Sequence, residues 1–445
     1  MFEKLIAFRQ KNSSSRHQVL ANTTWLFADQ ILRMGVAFFI SVWVARYLQP
    51  EQFGLYNYAL TFVALFSPIA KMGLDEIVVR DCVGNPSGKD EILGTTFTLK
   101  LISGIFTLAL TVGVIGLVHP SDTLTQWLVG ITAAGTIFQA FETIDFWFQS
   151  QLQSKYTVWA KNGAFWLLTI AKIVFIQIKA PLIAFACAAL VEIMLNAVGW
   201  IIIYQALGNS LRRWHSSIQY ANKLLKDSWP LIFSGVTILI YAKIDQFMLG
   251  SLLTDKSELG FYSVAVKLSE VFDFLPVAMY MSILPKLTEI KVNSYEQYVK
   301  RFQNYFDLML VLWLVIAIPI SLGSSLIVNL YGEAYAPSAT ILSIYVWAQF
   351  GTNFGVARSA FIIIEGKQKL ALFLSILGAG INILLNLYSI PKFGAMGATV
   401  STLITYFVVT VFLNFVIPDL KFISKLIMNS CNLYKVALRM RELIR

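Results

Sequence analysis

Gly54-Leu55-Tyr56-Asn57-Tyr58-Ala59 opens one long apolar run, and Gly260-Phe261-Tyr262-Ser263-Val264-Ala265 opens another 206 residues later. An acidic residue, Glu51 or Glu258, stands shortly upstream of each copy. Around them twelve apolar runs can be read, at 20–46, 55–79, 92–118, 124–148, 157–178, 181–206, 229–253, 259–283, 303–331, 339–364, 369–391 and 394–418. Each is long enough to cross a bilayer at roughly 20 residues per crossing. The two copies therefore begin the second and the eighth run, equivalent positions in two sets of six. Because six is even, both sets enter the membrane from the same side. Their symmetry axis then runs along the membrane normal, as in transporters built from parallel repeats. The reading is an all-α integral membrane protein of about twelve transmembrane helices in two six-helix lobes related by a pseudo-two-fold axis.

Composition agrees. Over 445 residues, 57% are hydrophobic and only 13% charged, against about 25% charged in soluble proteins. No soluble domain fits in what remains. The organisation expected is a basic cytoplasmic N-terminus (1–19), an N-lobe (20–206), a cytoplasmic linker (207–228), a C-lobe (229–418) and a basic amphipathic cytoplasmic tail (419–445). The first run is expected to stay in the membrane as helix one, being too long for a signal h-region and lacking a small-residue cleavage site. In the tail, Lys421, Lys425, Lys435, Arg439 and Arg441 alternate with Phe422, Ile423, Ile427, Leu438 and Leu443, which reads as a basic helix lying on anionic lipid.

Topology follows from the basic residues. With the N-terminus inside, 23 Lys and Arg fall on the cytoplasmic side, and only Arg46, Lys179, Lys256 and Lys392 lie opposite. By the positive-inside rule both termini are cytoplasmic. Most of the +10 net charge is accounted for by topology and calls for no nucleic-acid partner.

Eight basic residues lie inside apolar runs: Arg33, Lys71, Lys100, Lys161, Lys172, Lys243, Lys267 and Arg358. An ionisable group at that depth costs about 2.5 kcal/mol or more unless it faces a polar interior. On helix one, Asn22, Asp29 and Arg33 fall within about 40° of one another. Lys161 and Lys172 lie about 20° apart on helix five. Lys267, Glu270 and Asp273 align at i, i+3 steps, whereas Lys243 and Asp245 are two apart and cannot share a face. Asp29 with Arg33, and Lys71 with Asp75, also fit plain i, i+4 ion pairs. Glu76 with Arg80, Lys100, Asp307 and Glu365 lie near helix ends and read as snorkelling or loop charges. Lys172, Lys243 and Arg358 have no opposite charge one turn away, at i±3 or i±4, on their own helix. Either a neighbouring helix supplies one or an anionic ligand does.

Three cysteines and three histidines are scattered without metal-ligand spacing. A P-loop, a dinucleotide fingerprint and a nucleophile elbow are all missing, so no metal, cofactor or catalytic residue is expected and energy would come from an ion gradient. A cavity with spare Lys and Arg in a low-dielectric surround attracts phosphate. A sugar head joined by phosphate or diphosphate to a lipid is such a cargo, since unaided passage would strip its charge and hydroxyls of water. An inside-negative potential helps an anion outward by about 2.3 kcal/mol per charge per 100 mV. Resetting the emptied cationic cavity opposes that gain, which gives Asp29, Asp245 or Glu270 a possible role in binding H⁺ or Na⁺.

Four stretches carry a family resemblance. Trp25-Leu26-Phe27-Ala28-Asp29-Gln30, followed by Arg46-Tyr47-Leu48-Gln49-Pro50-Glu51-Gln52-Phe53-Gly54-Leu55-Tyr56, resembles the start of polysaccharide flippases of the O-antigen (Wzx) type. So do Lys243-Ile244-Asp245-Gln246-Phe247-Met248-Leu249-Gly250 and Leu259 through Glu270, with Pro285 closing the next helix. The resemblance implies a bacterial inner-membrane carrier of undecaprenyl-diphosphate-linked oligosaccharide units, with the two-lobed fold of the multidrug/oligosaccharidyl-lipid/polysaccharide exporters and alternating access. By position it makes Arg33, Lys243, Lys267 and Arg358 the substrate-binding cations, and Lys172, with no opposite charge nearby on its own helix, is read with them. A polysaccharide polymerase and a chain-length regulator are the protein partners it implies, beside membrane lipids. Two rivals stay open: a membrane polymerase or ligase, disfavoured by outer loops of about 3 to 10 residues, and a drug or metabolite exporter, whose cavity would favour acidic residues.

Overall fold

A computed structural model describes residues 2–153 and 155–444, with side chains from 32 to 441. Helix follows helix, and no strand occurs among the described residues. The first, α1 (Phe2–Lys71), is broken at Gln49, whose φ of 60° and ψ of 167° are non-helical. Pro50 explains the break: it disfavours the helical region for the residue before it and has no N–H to give. The two limbs on either side are the first and second apolar runs. α2 (Asp75–Gly84), α3 (Lys89–Val118), α4 (Thr123–Phe138), α5 (Glu142–Ser150), α6 (Lys155–Gln177) and α7 (Leu182–Ala206) complete the first half.

The second half begins with α8 (Ile218–Leu252) and α9 (Ser257–Glu270). α10 (Phe274–Asn293), α11 (Tyr295–Leu322), the short α12 (Ser324–Val328), α13 (Pro337–Ile364) and α14 (Gln368–Phe407) follow. α14 is broken at Gly394, with φ 55° and ψ −135°, a conformation only glycine adopts easily. Glu258 caps the limb beyond it, accepting from the Ala395 N–H at 2.7 Å. By length and composition, seven helices among the described residues can cross a membrane. Their outer faces are apolar where neighbours leave them bare, as at Ile102, Phe106, Leu167 and Ile170. The molecule is a multi-pass membrane protein in two lobes.

The repeat now has a physical reason. A Cβ on Gly54 would overlap the Lys256 carbonyl oxygen, and one on Gly260 would overlap that of Pro50. Each glycine lets the backbone of the other copy approach, so the two motifs meet across the pseudo-two-fold axis. Further bonds close the same end. Arg46 donates to the Leu330 carbonyl at 2.7 Å and Tyr335 to that of Ala45 at 2.8 Å. Tyr58 hydroxyl lies 2.9 Å from Ser251 Oγ and 3.0 Å from His119 Nε2.

At the opposite end the linker is tied to the first lobe. His215 N–H donates to Asp90 O, and Ser217 N–H to Thr95 Oγ1. Asp81 on α2 accepts from Lys223 Nζ at 3.1 Å and Tyr220 hydroxyl at 3.0 Å on α8. Burial would raise the Asp81 carboxyl, but the bonds from Arg80, Lys223 and Tyr220 outweigh it and hold Asp81 below the usual range. Arg80, read as a snorkelling or loop charge, is thus bound to Asp81 and Asp227.

Other expectations change for tertiary reasons. Met72 and Gly73 have positive φ between α1 and α2, so Lys71 and Asp75 are not one turn apart on a single helix and form no ion pair. Asp307 is fully buried and accepts from Arg439 Nε at 2.5 Å, Ser430 at 2.6 Å and Gln303 at 3.0 Å. The tail forms α15 (Leu413–Val416), α16 (Lys421–Cys431) and α17 (Leu433–Ile444). Ile423, Leu426 and Ile427 of α16 join the core around Phe302 and Phe361. The apolar face assigned to lipid is covered by α11 and α13, whereas Lys421 and Lys425 remain exposed.

Candidate functional site

Three of the expected cations converge. Lys267 on α9 is exposed, donates to Ser41 Oγ of α1 at 2.7 Å and is close enough to Lys172 and Lys243 to be repelled by both. Lys172 belongs to α6 in the first lobe, and Lys243 to α8 in the second. The cluster therefore spans the interface between lobes. Its acids come from neighbouring helices: Glu270 lies 3.3 Å from Lys243, and Glu192 lies 3.5 Å from Lys172. Lys267 makes no ion pair among the described residues, although Glu270 stands one turn away. The expected line of Lys267, Glu270 and Asp273 stops there, because α9 ends at Glu270 and Asp273 falls in the break before α10.

Arg33 belongs to an adjoining polar pocket of about 240 Å³ inside the first lobe, with Glu142, Lys161, Glu192 and Asn196. Glu192 links this pocket to the lysine cluster, since it also pairs with Lys172. Lys161 holds Asp145 at 2.8 Å, and Lys100 holds Glu142 at 2.8 Å. Lys100 is fully buried, so it does not snorkel; its ammonium also lies over the Phe146 ring.

Arg358 and Asp245 are placed apart from the cluster. Arg358, buried on α13, donates to Val409 O at 2.6 Å and to Asn414 Oδ1 at 3.5 Å. Val409 sits in a π-helical turn, Val408–Phe412, where the wider ladder leaves a carbonyl within an outside donor's reach. Asp245 is buried in the second lobe. It accepts from the Tyr262 hydroxyl, from Thr402 Oγ1 at 3.3 Å and from the Gln246 N–H at 2.8 Å. Lys243 and Asp245 do serve different faces of α8. The side chain of Asp29 lies outside the described residues.

Sequence reasoning passed over Glu192. A carboxylate in the middle of the apolar Leu182–Ala206 helix carries the same signal as the lysines and should have been read with them. Tyr262 and Thr402, which contact Asp245, carry no such signal, because hydroxyl residues are ordinary inside membrane helices.

Chemically, the arrangement offers three lysine amines grouped between the lobes, two of them paired with acids, and a serine hydroxyl beside the third. A family model described as "Polysaccharide biosynthesis protein" matches residues 19–291. Capsular polysaccharide biosynthesis protein CapF of Staphylococcus aureus is 23% identical over 406 residues, covering 88% of this chain and 97% of the relative. In fold, the chain is similar to the lipid II flippase MurJ in an inward closed conformation, with a TM-score of 0.72, 14% identity and coverage of 94% and 99%. It is equally similar to an inward-facing MATE-family multidrug resistance transporter of the MOP superfamily, with a TM-score of 0.72, 15% identity and coverage of 88% and 95%.

Proposed function

The chain belongs to the polysaccharide biosynthesis protein family, and on that premise we propose that it is a flippase for lipid-linked oligosaccharide repeat units. The cargo is an undecaprenyl diphosphate carrying a repeat unit of O-antigen or a related surface polysaccharide. It moves from the cytoplasmic to the periplasmic leaflet of a bacterial inner membrane, with both termini cytoplasmic and twelve crossings. One observation carries the reading: Lys267 of the second lobe, in no ion pair among the described residues, donates to Ser41 of the first lobe at 2.7 Å, with Lys172 and Lys243 near enough to repel it. A drug exporter for cations has no use for that charge. The similarity to a lipid flippase and to a capsule biosynthesis protein supports the same reading.

The physical sequence of events follows. Diphosphate oxygens displace Glu270 from Lys243 and Glu192 from Lys172, and Lys267 adds a third charge-assisted bond. The sugar hydroxyls are solvated by the wet cavity, and the lipid tail stays in the bilayer. The meeting of Gly54 with Gly260 closes the periplasmic end, and releasing it exposes the cargo outward. Arg33 and the adjoining polar pocket extend the site toward the sugar, and Arg358 acts from within the second lobe. Resetting is tied to H⁺ or Na⁺, with Asp245, Glu270 and Asp29 as the carboxylates that bind it; Asp245 has hydrogen-bond donors but no ion pair among the described residues. A polysaccharide polymerase and a chain-length regulator act on the delivered units.

Deleting the protein tests this. Lipid-linked repeat units should accumulate facing the cytoplasm; units accumulating unpolymerised on the outer face would instead identify a polymerase.

A further inference from the structure

Between α10 and α11, away from the lysine cluster, lies a cleft of about 490 Å³. Its rim carries Lys286 and Arg301, both exposed and neither in an ion pair among the described residues. One acid, Glu289, shares the rim. Ile283, Leu287 and Leu308 give it apolar walls. Along α11, at one to three turns from the Ser294 turn, the wall also presents Gln297, Asn304 and Tyr305. The Tyr305 hydroxyl and Asn304 Oδ1 are buried with no hydrogen-bond partner among the described residues, and Tyr305 as a whole is 2% exposed. A buried hydroxyl left unsatisfied costs about 1 to 3 kcal/mol, so such a group marks a place where a partner belongs. The cleft also adjoins the first turns of a 28-residue helix capped by Ser294, whose dipole favours negative charge nearby.

We infer that this cleft is a binding site for the phosphate headgroup of an anionic membrane phospholipid, separate from the cavity that carries cargo. Lys286 and Arg301 hold the phosphate, Tyr305 donates to a headgroup or glycerol oxygen, and the apolar walls receive the start of an acyl chain. Basic recesses between membrane helices at the cytoplasmic level bind anionic headgroups for these reasons. A free phosphate would use the same two cations but leave the apolar walls bare. The site lies on α10, the continuation of the helix that bears Lys267 and Glu270, so occupancy would brace the second lobe while the first moves against it.

The test is native mass spectrometry of the full chain in detergent, offered phosphatidylglycerol, phosphatidylcholine or inorganic phosphate. Retention of one phosphatidylglycerol, but not of phosphatidylcholine, is expected. Lys286→Gln with Arg301→Gln should lower it by about tenfold or more, given the attraction of each base for an anionic headgroup. Lys421→Gln with Lys425→Gln, two exposed bases outside the cleft, should not. Tyr305→Phe should lower it by about threefold, a single hydrogen bond's share. Retention undiminished in the Lys286/Arg301 variant, equal retention of phosphatidylcholine, or full displacement by phosphate would each overturn the assignment. The measurement needs no transport, so its failure leaves the flippase reading untouched, and a transport failure leaves this site standing.

Discussion

The two lobes share a motif yet treat charge in the membrane differently. In the first, Lys100, Lys161 and Lys172 each meet a carboxylate on another helix, Glu142, Asp145 and Glu192. In the second, Lys243 meets Glu270 and Arg439 meets Asp307, but Lys267 and Arg358 meet no carboxylate among the described residues, and buried Asp245 is held by hydroxyls and an N–H. Paired charges are costly to break and slow to exchange, whereas uncompensated ones respond to whatever ion or ligand arrives. The contrast assigns a structural scaffold to the first lobe and most of the responsive chemistry to the second, with Lys172 the first lobe's contribution to the shared site.

The largest effect should come from breaking a scaffold pair. Lys100→Ala removes a fully buried side chain and leaves half-buried Glu142 without its ammonium, and is expected to destabilise the protein by about 3 kcal/mol, seen as an early unfolding transition in detergent. Adding Glu142→Ala should restore most of the loss. If the double variant were no better than the single, Lys100 would be acting through packing alone. Next in size, Lys267→Gln should lower transport by about tenfold or more, the loss of one charge-assisted contact to phosphate, with the unfolding transition unmoved. A parallel fall in stability would place Lys267 with the scaffold instead.

Asp245→Asn should leave folding intact and make transport insensitive to the H⁺ or Na⁺ gradient, since the amide cannot exchange a proton or carry charge. Gradient dependence that persists would remove Asp245 from the coupling role. The smallest effect concerns the linker clasp. Asp81 sits below the usual aspartate range, so its contribution is present above the unfolded value and is lost as pH falls through the folded one. Spin labels at Val83→Cys and Lys226→Cys should therefore separate only once pH drops below the ordinary aspartate value of about 3.9. In Asp81→Asn they should be apart at every pH.

Much of this was legible before any coordinates. The apolar runs that stop at 46 and 391 and resume at 55 and 394 placed the breaks in α1 and α14, and the repeated Gly54 and Gly260 announced two related halves. Why glycine was needed there was not legible, because the clash that excludes a side chain comes from backbone 200 residues away. The lysines were visible as charges in apolar runs. Their partners were not, since spacing reports only the helix a residue sits on, and Glu270, Glu192 and Ser41 come from others. Arg358's partner was hidden for the same reason: a carbonyl freed by a π turn leaves no mark in the sequence. Asp307 read as a helix-end charge until the tail, with Arg439, closed over it.

The central claim is that Lys172, Lys243 and Lys267 together receive the cargo's phosphate. Its most direct measurement is translocation of a lipid-diphosphate oligosaccharide in proteoliposomes by the wild type and by a variant carrying Lys172→Gln, Lys243→Gln and Lys267→Gln. The variant should insert and fold normally but translocate at about a hundredth of the wild-type rate or less; an unchanged rate in correctly folded protein would contradict the account.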